Sequence, residues 1–300
     1  MCNTAEQNGI ILKAVGGLYY VETPEGVLEC KARGIFRKQD ISPCAGDRVI
    51  VQKEPDAVIT QILERKNSLI RPPLANLDQL VFVISTCEPS PNLMILDKFV
   101  AISEFKGIEP IIAITKLDLE KSDRIVEIYT NVGIRVVSID YEMPDCGQAL
   151  YALLAEKLSA FTGNSGVGKS TLLNHLDVSL QIETNEISKK LGRGKHTTRQ
   201  VSLYKLDNGG YVADTPGFSS LDTNRYDYIR KEQLSGCFRE FSAFEGKCRF
   251  QDCSHTKEKG CAVRGALQEG MIADSRYNSY VQMYDEAKQL KEWEIKDKNK

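Results

Sequence analysis

The chain has 300 residues, of which 42% are apolar and 27% charged, with a formal net charge of −2. That balance excludes a disordered tail, a collagen and a coiled-coil rod, and at about 100–200 residues per domain it predicts two or three domains. The charge is spread unevenly, with nine basic and nine acidic residues in 1–70, fifteen and nineteen in 71–222, and fifteen and thirteen in 223–300, and the whole chain is not a generally basic nucleic-acid binder.

Residues 9–65 read as five short strands, Ile10–Val15, Leu18–Glu22, Val27–Ala32, Asp47–Lys53 and Ala57–Leu63. Gly16-Gly17 and Pro24-Glu25-Gly26 supply turns. Five strands in so short a span predict a small all-β barrel of the OB or SH3-like kind. Tyr19, Tyr20 and Phe36, with Arg33, Arg37 and Lys38, are either an RNA-facing patch or partly barrel core. Arg71-Pro72-Pro73 is a stiff connector.

Beyond it the pattern changes. A continuous apolar strand, Gln79–Ser85, precedes an amphipathic helix at about Leu93–Phe105. Strand Pro110–Thr115, helix Asp123–Asn131, strand Ile134–Ile139 and helix Gln148–Glu156 follow. The alternation continues through strand Leu158–Thr162, a helix after Lys169, and strands Gln200–Lys205 and Tyr211–Asp214. Strands buried on both faces and alternating with helices predict a parallel sheet covered on each side. Past Leu221 the rhythm gives way to loops and helices, ending in a charged amphipathic helix at about Arg276–Glu292. The lysines from Lys288 to Lys300 read as a solvated helix end.

Gly163-Asn164-Ser165-Gly166-Val167-Gly168-Lys169-Ser170, followed by Thr171, fits G-x-x-x-x-G-K-[ST] between a strand and a helix. In such a loop backbone N–H groups and the helix N-terminus surround phosphates. Lys169 reaches the β- and γ-phosphates and the Ser170 hydroxyl holds magnesium. Asp214-Thr215-Pro216-Gly217 ends a strand downstream. There the carboxylate of Asp214 suits magnesium, and the Gly217 N–H suits a γ-phosphate.

Thr115-Lys116-Leu117-Asp118 ends another apolar strand and resembles the guanine-reading N/T-K-x-D motif. A carboxylate at Asp118 accepts from the ring N–H and the amine of guanine, whereas adenine presents an acceptor there, so the site discriminates. The base-reading motif here precedes the phosphate loop, the reverse of the ordinary order. A parallel sheet permits this, because ligand loops gather at the carboxyl ends of its strands.

The permuted order, Arg71-Pro72-Pro73-Leu74-Ala75-Asn76-Leu77-Asp78, Gly192-Arg193-Gly194-Lys195-His196-Thr197-Thr198, and Cys248 to Cys261 followed by Arg276-Tyr277-Asn278-Ser279-Tyr280 together resemble the circularly permuted, small-ribosomal-subunit-dependent GTPases of the RsgA or YjeQ type. The resemblance spans nearly the whole chain. It implies an N-terminal OB barrel (1–70), a permuted α/β P-loop GTPase domain (71–222) and a C-terminal helical zinc domain (223–300). It also implies slow GTP hydrolysis accelerated by the small ribosomal subunit during late maturation of that subunit. Lys195 and Thr115 depart from the residues expected there, Arg and Asn.

The segment Gly192–Arg199 lies where a γ-phosphate-sensing switch belongs. Thr197 or Thr198 is expected to reach magnesium, with Thr198 taken as the magnesium and catalytic residue. Five basic residues between Lys189 and Arg199, with no acid among them, suit RNA phosphate. After D-x-x-G, ordinary Ras-like enzymes carry a water-orienting glutamine. Phe218 stands there instead, so slow turnover that needs a partner is expected. His196 is the candidate catalytic side chain; the alternative is that it touches RNA.

Nine cysteines, an odd set with six scattered singly, do not suit a disulfide framework. Cys248, Cys253, His255 and Cys261 form a donor set suited to tetrahedral structural zinc, with Cys237 as an alternative ligand. A zinc clip also explains how a segment poor in apolar residues folds. The longest apolar runs are strand-sized, well below the ~18 residues of a membrane span. The N-terminal MCNTAEQNG lacks the basic patch and apolar run of a secretory signal. The expectation is a cytoplasmic, monomeric protein with one zinc ion, magnesium with GTP, and the small ribosomal subunit and its rRNA as partners. Two alternatives use the same residues: an ATP-dependent P-loop kinase, and a non-catalytic zinc RNA-binding module that keeps nucleotide as a structural ligand.

Overall fold

The computed structural model describes residues 6–34, 36, 41–53, 56–70, 72–176, 201–214 and 228–289. Five strands open the chain: β1 (Glu6–Val15), β2 (Leu18–Thr23), β3 (Gly26–Ala32), β4 (Arg48–Gln52) and β5 (Val58–Ile62). They pair in the ring β1-β2-β3-β5-β4 and back to β1, which closes the expected barrel. A register shift between Ile11 and Lys13 bends β1, as a bulge does at a barrel corner. Ile11, Val21, Cys30, Phe36, Val49, Val51 and Ile59 fill the interior, and Tyr19 packs against them. Phe36 is therefore barrel core. The outer face carries Tyr20, with the Lys13 ammonium 4.5 Å from its ring centre.

A short hairpin, β6 (Ser68–Leu69) and β7 (Leu74–Ala75), joins the barrel to the parallel sheet. The segment before Asp78 locks that junction. The Asn76 side chain donates to Gly46 O at 2.9 Å and accepts from the Lys66 N–H at 3.0 Å. The Asp78 carboxylate accepts from the Leu158 N–H at 2.8 Å. The hairpin is too short to leave a periodic trace in the sequence.

Next come β8 (Gln79–Ser85), α1 (Leu93–Lys106), β9 (Glu109–Thr115), α2 (Asp123–Asn131), β10 (Arg135–Ser138), α3 (Gln148–Leu153), β11 (Leu158–Thr162), α4 (Lys169–Leu176), β12 (Ser202–Lys205) and β13 (Tyr211–Asp214). The sheet order is β10-β9-β8-β11-β13-β12, parallel from β10 to β13, with β12 antiparallel at its edge. One face packs Leu96, Phe99 and Val100 of α1 and Ile128 and Tyr129 of α2; the other packs Leu150 of α3 and Leu172 and Leu173 of α4. β12 also touches the barrel, with Lys13 opposite Ser202, so the two sheets run on as one of eleven strands.

The sequence explains where α1 starts and stops. Asn92 caps it by accepting from the Ile95 N–H at 3.1 Å. Gly107 ends it in the left-handed conformation, φ 65°.

The C-terminal part contains α5 (Lys231–Leu234), two 3₁₀ turns (Ser235–Cys237 and Arg239–Phe244), α6 (Ala262–Gln268) and α7 (Asp274–Gln289). The expected last helix starts two residues earlier than predicted, and its end lies outside the described residues. Ala101 and Ile102 of α1 join Phe238, Phe241, Val263, Tyr277 and Tyr280 in a third core. Helix α1 is thus buried on two sides.

At that contact sits a buried charge network. Arg276, 1% exposed, donates from Nη1 to Asp97 Oδ1 at 2.7 Å, and from Nε and Nη2 to Glu240 at 2.8 and 3.1 Å. The Tyr129 hydroxyl donates to the same Asp97 oxygen at 2.8 Å. Burial lowers the basicity of Arg276, but Glu240 and then Asp97 more than offset this and raise its pKa. Removing one partner of such a set strands an uncompensated charge. Arg276→Ala is expected to cost about 3–5 kcal/mol of stability, read as a lower urea midpoint, with the packing of α7 on α1 lost first.

Candidate nucleotide site and metal centre

The phosphate loop leaves β11 and enters α4. It fits against β8 so closely that a Cβ at Gly163 would lie 2.3 Å from Val83 O, which excludes every residue but glycine there. The loop tightens through Val167 N–H to Asn164 O at 3.4 Å, and α4 begins with Leu172 N–H to Gly168 O at 2.9 Å. Val167 is buried under the loop, whereas Ser165, Gly166 and Thr171 are exposed. Gly163, Asn164, Gly168, Lys169 and Ser170 are half-buried.

The base-reading segment leaves β9, separated from β11 by β8 alone. The Thr115 hydroxyl lies 2.6 Å from Val167 O and 3.2 Å from Ile84 O. It has one proton, and the shorter contact takes it. Thr115 therefore stitches the base-reading strand to the phosphate loop, two residues before Lys169. An asparagine at the same position has no hydroxyl to make that bond.

Lys116 adopts φ 58°, and the Thr86 hydroxyl donates to its carbonyl at 2.6 Å. Its ammonium donates to the carbonyl of Glu88, on the loop after β8. The Leu119 N–H to Lys116 O bond, 3.1 Å, closes the turn that presents Asp118 to solvent. Thr115, Lys116, Leu117 and Asp118 thus occupy the same sheet edge as Gly163–Ser170.

The structure adds a contributor that the sequence motifs miss. Tyr141 follows β10, and its hydroxyl and the Thr115 hydroxyl each lie 3.9 Å from where a Cβ would sit on Gly168. Its ring meets His175 edge-on at 5.7 Å. Burial, then Cys146, pushes the phenol up to about 12, so it remains a neutral hydrogen-bonding group. The rule that loops at the carboxyl ends of parallel strands line the site points to it; no tetrapeptide does. β13 ends at Asp214 beside Phe161 of β11, which brings the chain of Asp214 to the same edge. The Asp214 side chain, Gly217, Phe218, His196, Thr197 and Thr198 lie outside the described residues.

A second cluster lies in the C-terminal part. One donor atom each from Cys248, Cys253, His255 and Cys261 falls within 4.8 Å of every other. Cys248 Sγ is 3.5 Å from His255 Nδ1 and 3.9 Å from Cys261 Sγ, and Cys261 Sγ is 3.4 Å from His255 Nδ1. With metal–ligand bonds of about 2.0–2.3 Å, a tetrahedral ion gives edges of roughly 3.4–3.8 Å, so the set fits a metal ion. Burial and the neighbouring thiols hold the Cys253 thiol up at about 12, and burial keeps His255 neutral. A divalent cation favours thiolates and the neutral imidazole.

The shell around the cluster is built by α7. The Tyr277 hydroxyl lies 2.9 Å from the carbonyls of His255 and Thr256, and the Tyr280 hydroxyl donates to Ser254 O at 2.8 Å. The Ala262 N–H donates to Cys248 Sγ at 3.3 Å. Cys237, the alternative ligand, is instead buried in the third core, its thiol directed to Gln233 O at 3.5 Å.

Comparison with known proteins agrees with this architecture. The RsgA GTPase family model matches residues 62–224 and the RsgA N-terminal domain model residues 8–58. The small ribosomal subunit biogenesis GTPase RsgA of Caldanaerobacter subterraneus subsp. tengcongensis is 43% identical over 286 residues, covering 94% of this chain and 96% of the relative. The protein of the same name from Streptococcus pneumoniae is 44% identical, covering 95% and 96%. Among solved structures, YjeQ from Thermotoga maritima superposes with a TM-score of 0.80 at 34% identity, over 96% of this chain and all (100%) of that one. YloQ, described as a circularly permuted GTPase, gives 0.79 at 35% identity, over 97% and 98%. The chain belongs to the RsgA GTPase family and is a GTP hydrolase.

Proposed function

We propose that this protein hydrolyses GTP to GDP and phosphate when docked on the small ribosomal subunit, acting as a cytoplasmic monomer late in the maturation of that subunit. The observation that carries the reading is the Thr115 hydroxyl held 2.6 Å from Val167 O, which sets a base-reading segment against a phosphate loop in permuted order. The names of the relatives supply the ribosomal context.

In this reading the backbone N–H groups of Gly163–Ser170 cradle the phosphates, with Thr171 in the first turn of α4. Lys169 pairs with the β- and γ-phosphates, and Asp118 accepts from guanine while Lys116 and Leu117 flank the base. Ser170, Thr198 and Asp214 hold magnesium, which when bound neutralises charge that develops on the phosphates. Gly217 reports the γ-phosphate to the segment leading into residues 223–300. The barrel, 1–70, and the zinc domain, 223–300, dock on rRNA around the GTPase domain, 71–222. Zinc held by Cys248, Cys253, His255 and Cys261 is structural, because all four positions are filled by protein. The ATP-kinase alternative draws no support, since Asp118 favours guanine.

Asp118→Asn is expected to weaken GTP binding by roughly 10⁴-fold, since a site built on these hydrogen bonds discriminates to that degree. Titration with GTP, ATP and XTP measures it; unchanged GTP affinity would remove Asp118 from the base site.

Phe218 carries no group that orients water, so intrinsic turnover is expected to be slow and to rise on adding purified small subunits. No rise at low salt would overturn the proposal. His196→Ala is expected to lower the stimulated rate by about 10²-fold with subunit binding kept; a full stimulated rate would leave His196 only an RNA contact.

Elemental analysis is expected to find one zinc per chain. Chelation should make residues 228–289 protease-sensitive while GTP binding persists. Absence of stoichiometric metal rejects the zinc assignment.

A further inference from the structure

Asp118 stands on a turn that Lys116 opens. The Leu119 N–H donates to Lys116 O and closes it, and Leu117 packs inward against the GTPase core. Lys116 itself takes φ 58°, a left-handed conformation that strains a residue with a Cβ and persists where its surroundings hold it. Part of that hold comes from the neighbouring strand. Thr86, 7% exposed, donates its hydroxyl proton to the second lone pair of Lys116 O at 2.6 Å. Its other neighbour, Cys87 Sγ at 3.8 Å, is the longer contact, so the proton goes to the carbonyl.

The backbone sets Thr86 in that place. It is the first residue beyond β8, and its N–H donates to Thr115 O at 3.2 Å, which laces the ends of β8 and β9 together. The loop that follows is tied back to its own strand, since the Ser85 hydroxyl donates to Pro89 O at 2.8 Å. The same loop supplies the Glu88 carbonyl that accepts from the Lys116 ammonium. Lys116 is thus held at both ends, its backbone by Thr86 and its side chain by Glu88. The Glu88 contact uses a backbone carbonyl, which any residue there would offer. The Thr86 contact requires a hydroxyl, on a residue 30 positions before Lys116 and outside the base-reading tetrapeptide.

We infer that Thr86 is a positioning residue for guanine recognition: its hydroxyl pins Lys116 O, which fixes the turn and with it the direction from which Asp118 meets the base. The inference deepens the proposed base site and rests on that reading of Asp118. Thr86 acts through Lys116 and Asp118, so its contribution belongs to binding and leaves the phosphoryl step alone. A carbon in place of the hydroxyl oxygen cannot approach Lys116 O closer than roughly 3.3 Å, so the turn must move outward. Lys116 O keeps the Leu119 N–H, so the carbonyl is not orphaned and the fold survives. What is lost is preorganisation: the turn is no longer set before the base arrives, and ordering it draws on the binding energy.

The test uses the full chain, with N-methylanthraniloyl-GDP as fluorescent probe and unlabelled GDP and IDP as competitors. Thr86→Val is expected to weaken GDP binding about tenfold, the effect of one lost hydrogen bond. Thr86→Ser, which keeps the hydroxyl, is expected to stay within about threefold of the parent. The KM for GTP in intrinsic turnover should rise with the loss of affinity while kcat holds within about twofold. Thermal midpoints are expected to fall by no more than about 4 °C. IDP lacks the exocyclic amine that Asp118 accepts from, so the preference for GDP over IDP is expected to shrink several-fold in Thr86→Val. A purely structural defect would weaken both nucleotides equally, and that result overturns the inference. A Thr86→Ser variant as weak as Thr86→Val also overturns it. Asp118→Asn weakened with Thr86→Val unchanged overturns the inference and leaves the base site standing. Asp118→Asn unchanged removes the base site itself, and the inference with it.

Discussion

The nucleotide site depends on one constraint: in a parallel sheet every strand delivers its following loop to the same edge. β9, β8, β11 and β13 lie side by side in that order, so their carboxyl ends converge whatever the order in which the chain visits them. The hydroxyl of Thr115 turns this convergence into contact, since it spans from the end of β9 to Val167 inside the phosphate loop. Permutation moves the chain ends and leaves the chemistry where it was. It also gives β12 and β13 new neighbours, with the barrel on one side and the C-terminal part downstream.

Those neighbours are joined by different means. The barrel meets the GTPase sheet through one bridge between Lys13 and Ser202 and through the Glu22 carboxylate, which binds Lys205 at 2.8 Å and the Tyr211 hydroxyl. It is also seated on the Asn76 and Asp78 junction. The C-terminal part meets the same domain through α1, with a shared apolar core and the buried Arg276 network. Both joints mix apolar and polar contacts: Ala45, Ile10 and Leu12 of the barrel pack into the GTPase core, and the second joint adds the exposed pairs Lys98–Glu286 and Arg239–Glu109 to its buried network. Surface ion pairs stabilise little, while a buried pair fixes one arrangement and is costly to break. The loop after β8, which Lys116 touches, leads directly into α1, the helix against which the C-terminal part packs.

Much of this architecture is legible in the chain itself. The barrel strands, the alternating strands and helices, and the phosphate loop follow from periodicity, turn residues and a motif with a defined mechanism, all of them local in the chain. The metal cluster is legible because four donors fall within fourteen consecutive residues, Cys248 to Cys261. The short β6–β7 hairpin leaves no periodic trace. Tyr141 carries no motif, and the aromatic residues of the barrel cannot be divided into inside and outside until the strands are paired. Phe36 then falls inside and Tyr20 outside, because alternation along a strand shows two faces without saying which one the barrel encloses.

By itself the sequence picked out candidates for gripping phosphate, for reading a guanine edge and for holding a metal ion, because these depend on residue type and short spacing. Only the tertiary structure decided that Thr115 meets Val167 across 52 residues of chain, that Arg276 lies buried against Asp97 of α1, and that Cys237 belongs to a core rather than to the ligand set. Contacts of that kind arise from the packing of distant segments, whose free energy comes from burial and from satisfied charge, and no local pattern encodes which partner each will find.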